Sequence, residues 1–310
     1  MQTILGSGGA IGTPLAKELK KFTNKIRLVA RNPKKVNESD ELFTADLTNA
    51  EQVYKAVEGS DIVYLTVGLK YNIKVWEKEW PFVIMNTINA CLRYHAKLVF
   101  VDNVYAYAKD EIPHMTESSR IAGETKKGKL REQILGVIFD SIKKNGLIAL
   151  VARSADFYGP NVKTGFLNSS VFDKFKINKK AFWQSDATKI HSFTYTPDAA
   201  KAIALLGNTP DAYNQTWHLP TSSEKWTGIN FINTIAEEMN ISPKYFILSK
   251  SMIASIGLFS PLVKELKEMQ YQNDQDYFFD SSKFDKRFSF TPTSYKEGIK
   301  EILREEKSGL

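Results

Sequence analysis

Cysteine is nearly absent: Cys91 is the only one in 310 residues. That excludes an intrachain disulfide framework and any multi-cysteine metal centre. Its apolar neighbours in "MNTINACLRYHAKLVF" predict a buried small hydrophobe rather than a reactive thiol. Histidine is scarce too. His95, His114, His191 and His218 stand in separate stretches with no spacing such as H-x-x-x-H, so no metal site is expected. No apolar run approaches the ~18 residues that span a bilayer. The N-terminus lacks a basic leader, and "ILGSGGAIGTPLA" is broken by four glycines where a signal peptide needs an unbroken apolar core. The expected location is therefore cytoplasmic, with no membrane partner. Neither sign of charge dominates. The 42 Lys+Arg and 35 Asp+Glu leave +7, but acids and bases intermingle in stretches such as "EGIKEILREEK" (Glu297 to Lys307). These read as solvated helix faces. No nucleic-acid module is legible, and a phosphorylated small ligand accounts for a modest basic excess.

What is present is rhythm. "TILG", "IRLVAR", "DIVYLTV", "KLVFVDN" and "LIALVARS" read as strands. Between them, "IGTPLAKELKKF", "NAEQVYKAVEG", "WPFVIMNTINACLRYH" and "KLREQILGVIFDSIKKNG" read as helices. Val53, Ala56 and Val57 form one helical stripe, and Gly146 after Lys143 and Lys144 is a helix-stop signal. Alternating units whose strands are apolar on both faces predict an α/β fold with a parallel sheet covered on both sides. From about Ser154 the rhythm loosens, with turn residues at Gly159, Pro160, Asn161 and Gly165. The expected division is a dinucleotide-binding domain over 1–155 and a mixed segment over 156–310. The second adds the last sheet strands (about 190–220) and a smaller C-terminal substrate lobe.

"LGSGGAIGTPLA" places Gly6, Gly8, Gly9 and Gly12 between the first strand and helix. Glycine permits a tight turn and close approach of backbone to a pyrophosphate, which the helix N-terminus then receives. Gly6, Ser7, Gly8, Gly9, Ala10, Ile11 and Gly12 are thus the expected phosphate loop of a Rossmann-type, doubly wound sheet. An NAD site wants Asp or Glu at the end of the second strand, to bond the ribose 2′-hydroxyl. "IRLVARNPKK" supplies Arg31 there, with Lys34 and Lys35 close by. A guanidinium can grip a 2′-phosphate, so NADP is favoured over NAD.

Taken together, the chain resembles an extended or atypical short-chain dehydrogenase/reductase of the NAD(P)-dependent epimerase/dehydratase type. "ADLTN" (Ala45 to Asn49) resembles the acidic turn whose Asp46 and Leu47 contact adenine. "YLTVG" resembles the fourth strand, whose end, Val67 and Gly68, passes the cofactor ribose. "MNTINACL" resembles the helix that relatives begin at Asn86, and "ARSADFYGP" the sixth strand. In "HSFTYTPDAAKAI", Asp198 would anchor a helix N-terminus.

The departures from the family pattern concern catalysis. Asn103 stands where relatives carry a catalytic serine, within "DNVYAYA". Relatives then carry Y-x-x-x-K. The register of "GKLREQIL" puts Lys129 on the lysine and Thr125 on the tyrosine; Lys127, paired with Gly123, is the less favoured claimant. The resemblance implies that the lysine holds the cofactor ribose and lowers the tyrosine's pKa. A threonine hydroxyl is far too weak an acid for the tyrosine's role. Tyr105, Tyr107 and Asp102, at or just past the end of the fifth strand, are the candidates to replace it, Asp102 on the expectation that burial raises a carboxyl pKa. Two functions follow as expectations. One is an NADP-dependent reductase or epimerase acting on a small carbonyl compound or nucleotide sugar through non-standard acid/base groups. The other is a catalytically inactive, NADP-sensing regulatory or binding protein. "GFLNSSVF" and "FWQSD" are candidates to line a substrate pocket, although Trp183 reads more naturally as core. The apolar "SMIASIGLFSPLV" is suited to pack against the substrate lobe or a second copy of the chain in a homodimer.

Overall fold

A computed structural model describes residues 1–257 and 260–308. Leu258 and Phe259, inside the apolar segment just noted, lie outside the described residues. The strands are β1 (Gln2–Leu5), β2 (Ile26–Ala30), β3 (Glu41–Thr44), β4 (Ile62–Leu65), β5 (Lys97–Asp102), β6 (Ala149–Arg153), β7 (Asp156–Tyr158), β8 (Ala181–Gln184), β9 (Phe193–Tyr195), β10 (Thr216–His218) and β11 (Tyr245–Leu248). The first four helices are α1 (Gly12–Leu19), α2 (Ala50–Val57), α3 (Ile73–Tyr94) and α4 (Lys126–Asn145).

Seven strands form one parallel sheet in the order β10-β6-β5-β4-β1-β2-β3. This is the doubly wound α/β arrangement, in which strand order reverses between β1 and β4. Ile4, Leu28, Val63, Leu98, Phe100 and Leu150 are fully buried along it, as expected of strands covered on both faces. α2 buries Val53, Ala56 and Val57 and is capped by Asn49, whose side chain accepts from the Gln52 amide at 3.1 Å. Gly146 follows α4 with φ +76°.

Two elements differ from the sequence reading. β3 has only one sheet neighbour and an exposed "ELFT" sequence, so it carries no apolar run to betray it. α3 begins at Ile73 rather than at Trp80 or Asn86. Pro81 argues for a boundary because it removes a helix hydrogen bond. The helix nevertheless continues through it. Asn72 caps the first turn by accepting from the Lys74 and Val75 amides, and Trp76 and Trp80, one turn apart, are both buried.

The chain packs as two units. The first comprises 1–106, 127–154 and 199–219; the second comprises 107–126, 155–198 and Pro220 onward. The second has a core built largely of aromatics, including Tyr158, Phe172, Trp183, Phe193, Phe231 and Tyr295. Trp183 stacks on Phe231 at 6.4 Å and 10°. A Cβ at Gly228 would lie 2.5 Å from the Trp183 ring, so Trp183 is a core residue. Cys91 is buried, and burial pushes its thiol pKa well up. Among the described residues, no helix is long and apolar enough to cross a membrane. None of their His, Cys, Asp and Glu side chains form a group of three or more able to hold a metal ion.

Candidate cofactor site

The β1–α1 turn divides its glycines by task. Gly6 has φ +99°, and a Cβ there would lie 2.5 Å from the Val67 Cα. Only glycine fits both the dihedral and the approach. A Cβ at Gly12 would lie 2.6 Å from the Ser7 carbonyl oxygen, so α1 packs close against the turn. Gly8 and Gly9 are different. Nothing lies within 4 Å of a Cβ at Gly8, and only the Gly6 oxygen, at 3.8 Å, within that distance at Gly9. Both are exposed and line a cleft of about 840 Å³. The fold requires Gly6 and Gly12; it leaves Gly8 and Gly9 bare toward the cleft. Ile11 stands at the N-cap of α1 without a side-chain cap hydrogen bond, and the first turn has no acidic residue. That end is suited to an anion.

The fold of this turn gives a stability prediction. Gly6→Ala should destabilise the protein by about 2–4 kcal/mol, combining backbone strain with overpacking against Val67. A urea melt measures it, and an unchanged midpoint would contradict the close approach.

The other walls of the cleft come from the ends of β2, β3 and β4 and from α3. Arg31 directly follows β2 and lines the cleft with Asp46 and Leu47. The Asp46 carboxylate accepts from the Thr48 hydroxyl at 2.7 Å and the Thr48 amide at 2.9 Å. These bonds, with the charge of Arg31 as a smaller contribution, hold its pKa below the ordinary carboxylate value. Asn86 donates from Nδ2 to the Leu47 carbonyl at 3.0 Å, fixing the same turn from α3. Val67 and Gly68 close the side next to β4. Of the residues expected to hold cofactor, Gly6, Gly8, Gly9, Arg31, Asp46, Leu47, Val67 and Gly68 line this cleft. Ser7, Ala10, Ile11 and Gly12 shape the turn beneath it. The wall formed by Val75, Lys78 and Glu79 was not legible in sequence, because the start of α3 itself was not; Phe82 and Val83, in the part of the helix that was read, complete it.

The catalytic candidates separate sharply. Asp102 is not placed to act as an acid. Its Oδ1 accepts from Arg131 Nε at 2.9 Å and Nη2 at 2.5 Å, and its Oδ2 from Arg153 Nε at 3.3 Å and Nη2 at 3.2 Å. The three side chains are 0%, 4% and 2% exposed. The β5–β6 register sets Asp102 opposite Arg153. Asn103 accepts from the Tyr105 amide at 3.0 Å, a local turn bond. Tyr107 is buried and donates its hydroxyl to the Thr116 carbonyl at 2.8 Å. Tyr105 is half-buried and stacks on Trp76 at 6.2 Å and 18°.

The lysines are placed in the reverse of the expected register. Lys129 is exposed on α4, whereas Lys127 is 0% exposed and lies 4.8 Å from the centroid of the Tyr71 ring. Thr125 precedes the helix, is buried, and directs its hydroxyl to the Met269 sulfur at 3.7 Å. The assumed Thr125/Lys129 face is therefore not formed. The three lysines and the glycine carry no apolar phase of their own, but Leu130, Ile134 and Ile138 farther along α4 share the face of Lys127.

Residues 6–136 match the family model described as NAD(P)H-binding. No curated protein matches the chain. Many solved structures share its fold; three of them, matched over nearly their whole lengths, are the following. UDP-glucose 4-epimerase from Thermus thermophilus, a complex with NAD, is 15% identical with a TM-score of 0.79, covering 100% of both chains. UDP-glucuronic acid 4-epimerase from Bacillus cereus, in complex with NAD, is 14% identical with a TM-score of 0.80, covering 99% of both. DesIV, a dTDP-glucose 4,6-dehydratase from Streptomyces venezuelae solved as a double mutant with NAD bound, is 12% identical with a TM-score of 0.78, covering 99% of this chain and 97% of that one. At these identities the likeness establishes the fold. Residues 6–136 thus match an NAD(P)H-binding family model, and the chain has the α/β fold seen in these nucleotide-sugar epimerase and dehydratase structures.

Proposed function

We propose that this protein binds NADP(H) in the cleft beside the β1–α1 turn and is an NAD(P)-dependent oxidoreductase or epimerase of a small carbonyl compound or nucleotide sugar. The observation that carries the reading is the pair of bare glycines, Gly8 and Gly9, facing a cleft whose far side holds Arg31. A pyrophosphate fits against backbone with no Cβ to meet it, and a guanidinium at the end of β2 suits a 2′-phosphate. Arg31→Ala should weaken NADPH binding by about 1.5–3 kcal/mol, typical of a charge-assisted contact. NADH binding should barely change. Isothermal titration of both dinucleotides measures this, and a wild-type preference for NADH would refute the assignment.

When bound, the nicotinamide supplies hydride transfer. The chain's own contribution is to hold the ribose and to handle a proton. Lys127 takes the ribose-holding part, because Lys129 is exposed to solvent and Lys127 lies buried at the start of α4. Lys127→Ala should weaken dinucleotide binding about tenfold or more, the scale of a lost charged hydrogen bond. Lys129→Ala should leave it unchanged, and a reversed result would restore the other register. Tyr105 takes the proton-handling part. It retains partial exposure and stacks on Trp76, which meets Tyr71 edge-on at 5.7 Å, and the Tyr71 ring carries Lys127.

The commitments of Asp102, Tyr107 and Thr125 favour a second reading, a protein that binds the dinucleotide without turnover. A panel of carbonyl compounds and nucleotide sugars separates the two. Hydride exchange with any of them supports the enzyme; saturable NADPH binding with no exchange across the panel supports the sensor.

A further inference from the structure

Lys127, Arg131 and the carboxylate of Asp102 pose one question: what makes α4 present Lys127 inward, when three lysines share its first turn? We propose that Asp102 and Arg131 are positioning residues, and that their ion pair, added to the buried stripe of Leu130, Ile134 and Ile138, fixes the rotation of the start of α4, turning Lys127 inward onto the Tyr71 ring and Lys129 into solvent. The inference rests on the reading of Lys127 as the cofactor-facing lysine.

The geometry is specific. Lys127 and Arg131 are four residues apart and share a helix face. Lys129 lies about 200° further round from Lys127. The first turn, Lys126, Lys127, Gly128 and Lys129, has no apolar side chain, so it lacks a hydrophobic stripe of its own to choose a face. The buried apolar stripe of α4 begins only at Leu130 and continues through Ile134 and Ile138, and Arg131, on the same face, adds an ionic anchor at its N-terminal end. Two of its guanidinium nitrogens bond Asp102 Oδ1, at 2.9 and 2.5 Å. Arg153 bonds Oδ2 and keeps the carboxylate from turning. Asp102 is the last residue of β5, so the anchor belongs to the sheet rather than to a loop. The Arg131 guanidinium is also enclosed by rings, 4.6 Å from the Trp80 centroid, 5.1 Å from Phe100 and 5.9 Å from Trp76. Trp76 in turn meets Tyr71, on which Lys127 rests. Both cations of this helix face thus settle on one aromatic cluster, with Asp102 fixing their common phase. A buried ion pair contributes little net stability against well-packed apolar residues, and its best-supported role is to specify one arrangement among several.

The experiment compares wild type with the triple variant Asp102→Leu/Arg131→Met/Arg153→Met. The triple leaves no uncompensated charge among the three and replaces it with apolar volume. Two quantities are read in protein of confirmed fold. The first is the rate of amine acylation at Lys127 relative to Lys129, by mass spectrometry; the second is NADPH affinity. In wild type, Lys127 should react about tenfold or more slowly than Lys129, as burial protects it. In the triple variant the two rates should approach each other, and NADPH affinity should fall about tenfold, the scale of one charge-assisted contact. A merely structural role predicts no change in the ratio once the fold is retained. An unchanged ratio and affinity overturn the proposal. If the triple variant does not fold, Arg131→Lys, which keeps a cation and loses the two-pronged contact, is read the same way. The lysine reading is judged separately: wild-type NADPH affinity in Lys127→Ala removes the cofactor role, while the labelling ratio still decides the positioning.

Discussion

Gly9→Val should abolish binding of both NADPH and NADH while leaving the protein folded. The two halves of this expectation come from one observation. A Cβ at Gly9 meets no atom of the protein closer than the Gly6 oxygen at 3.8 Å, so the native chain tolerates it. The added isopropyl group would instead project into the space where a pyrophosphate must approach backbone. Gly12→Val is the contrast. Its Cβ would lie 2.6 Å from the Ser7 oxygen, so it should lose binding by disrupting the turn and α1 together. Circular dichroism and a fluorescence titration distinguish them. Gly9→Val should give a native spectrum and a flat titration; undiminished binding would remove Gly9 from the phosphate loop.

The second large effect concerns the proton. If the chain turns over a substrate, Tyr105→Phe should reduce kcat by ~10²–10⁴-fold, the usual contribution of a general acid or base. The ring stack on Trp76 survives that change, because only the hydroxyl is removed. Thr125→Val should leave kcat within a few-fold, since its hydroxyl faces the Met269 sulfur. Stopped-flow rates of both variants at saturating substrate supply the test. A hundredfold loss in Thr125→Val, with Tyr105→Phe near wild type, would exchange the two roles.

Local signals in the sequence were sufficient to pick out residues that line one cleft. The glycine spacing, Arg31 after an apolar strand and the "ADLTN" turn are each contained within a dozen residues, and their structural counterparts line one cleft. The sheet was legible because its central strands are buried on both faces. β3 escaped because its exposed sequence at the sheet edge has no apolar run. The start of α3 escaped because Pro81 is a strong local breaker, overruled by an N-cap nine residues earlier and two buried tryptophans. The surroundings of the catalytic candidates were not legible, for a different reason. Asp102 finds Arg131 and Arg153 29 and 51 residues away, and no periodicity reports such a pairing. The lysine register rested on the Y-x-x-x-K pattern alone, whereas Lys127 lies on the helix face of the buried Leu130, Ile134 and Ile138.

Under the proposed function, a nicotinamide dinucleotide occupies the cleft between the β1–α1 turn and the ends of β2, β3 and β4. Hydrogen exchange of the wild-type protein, with and without saturating NADPH, tests it most directly. Exchange should slow at residues 6–12, 45–48 and 67–70 and change little across the aromatic core of the second unit. Unaltered exchange at all three segments in the presence of NADPH would contradict it.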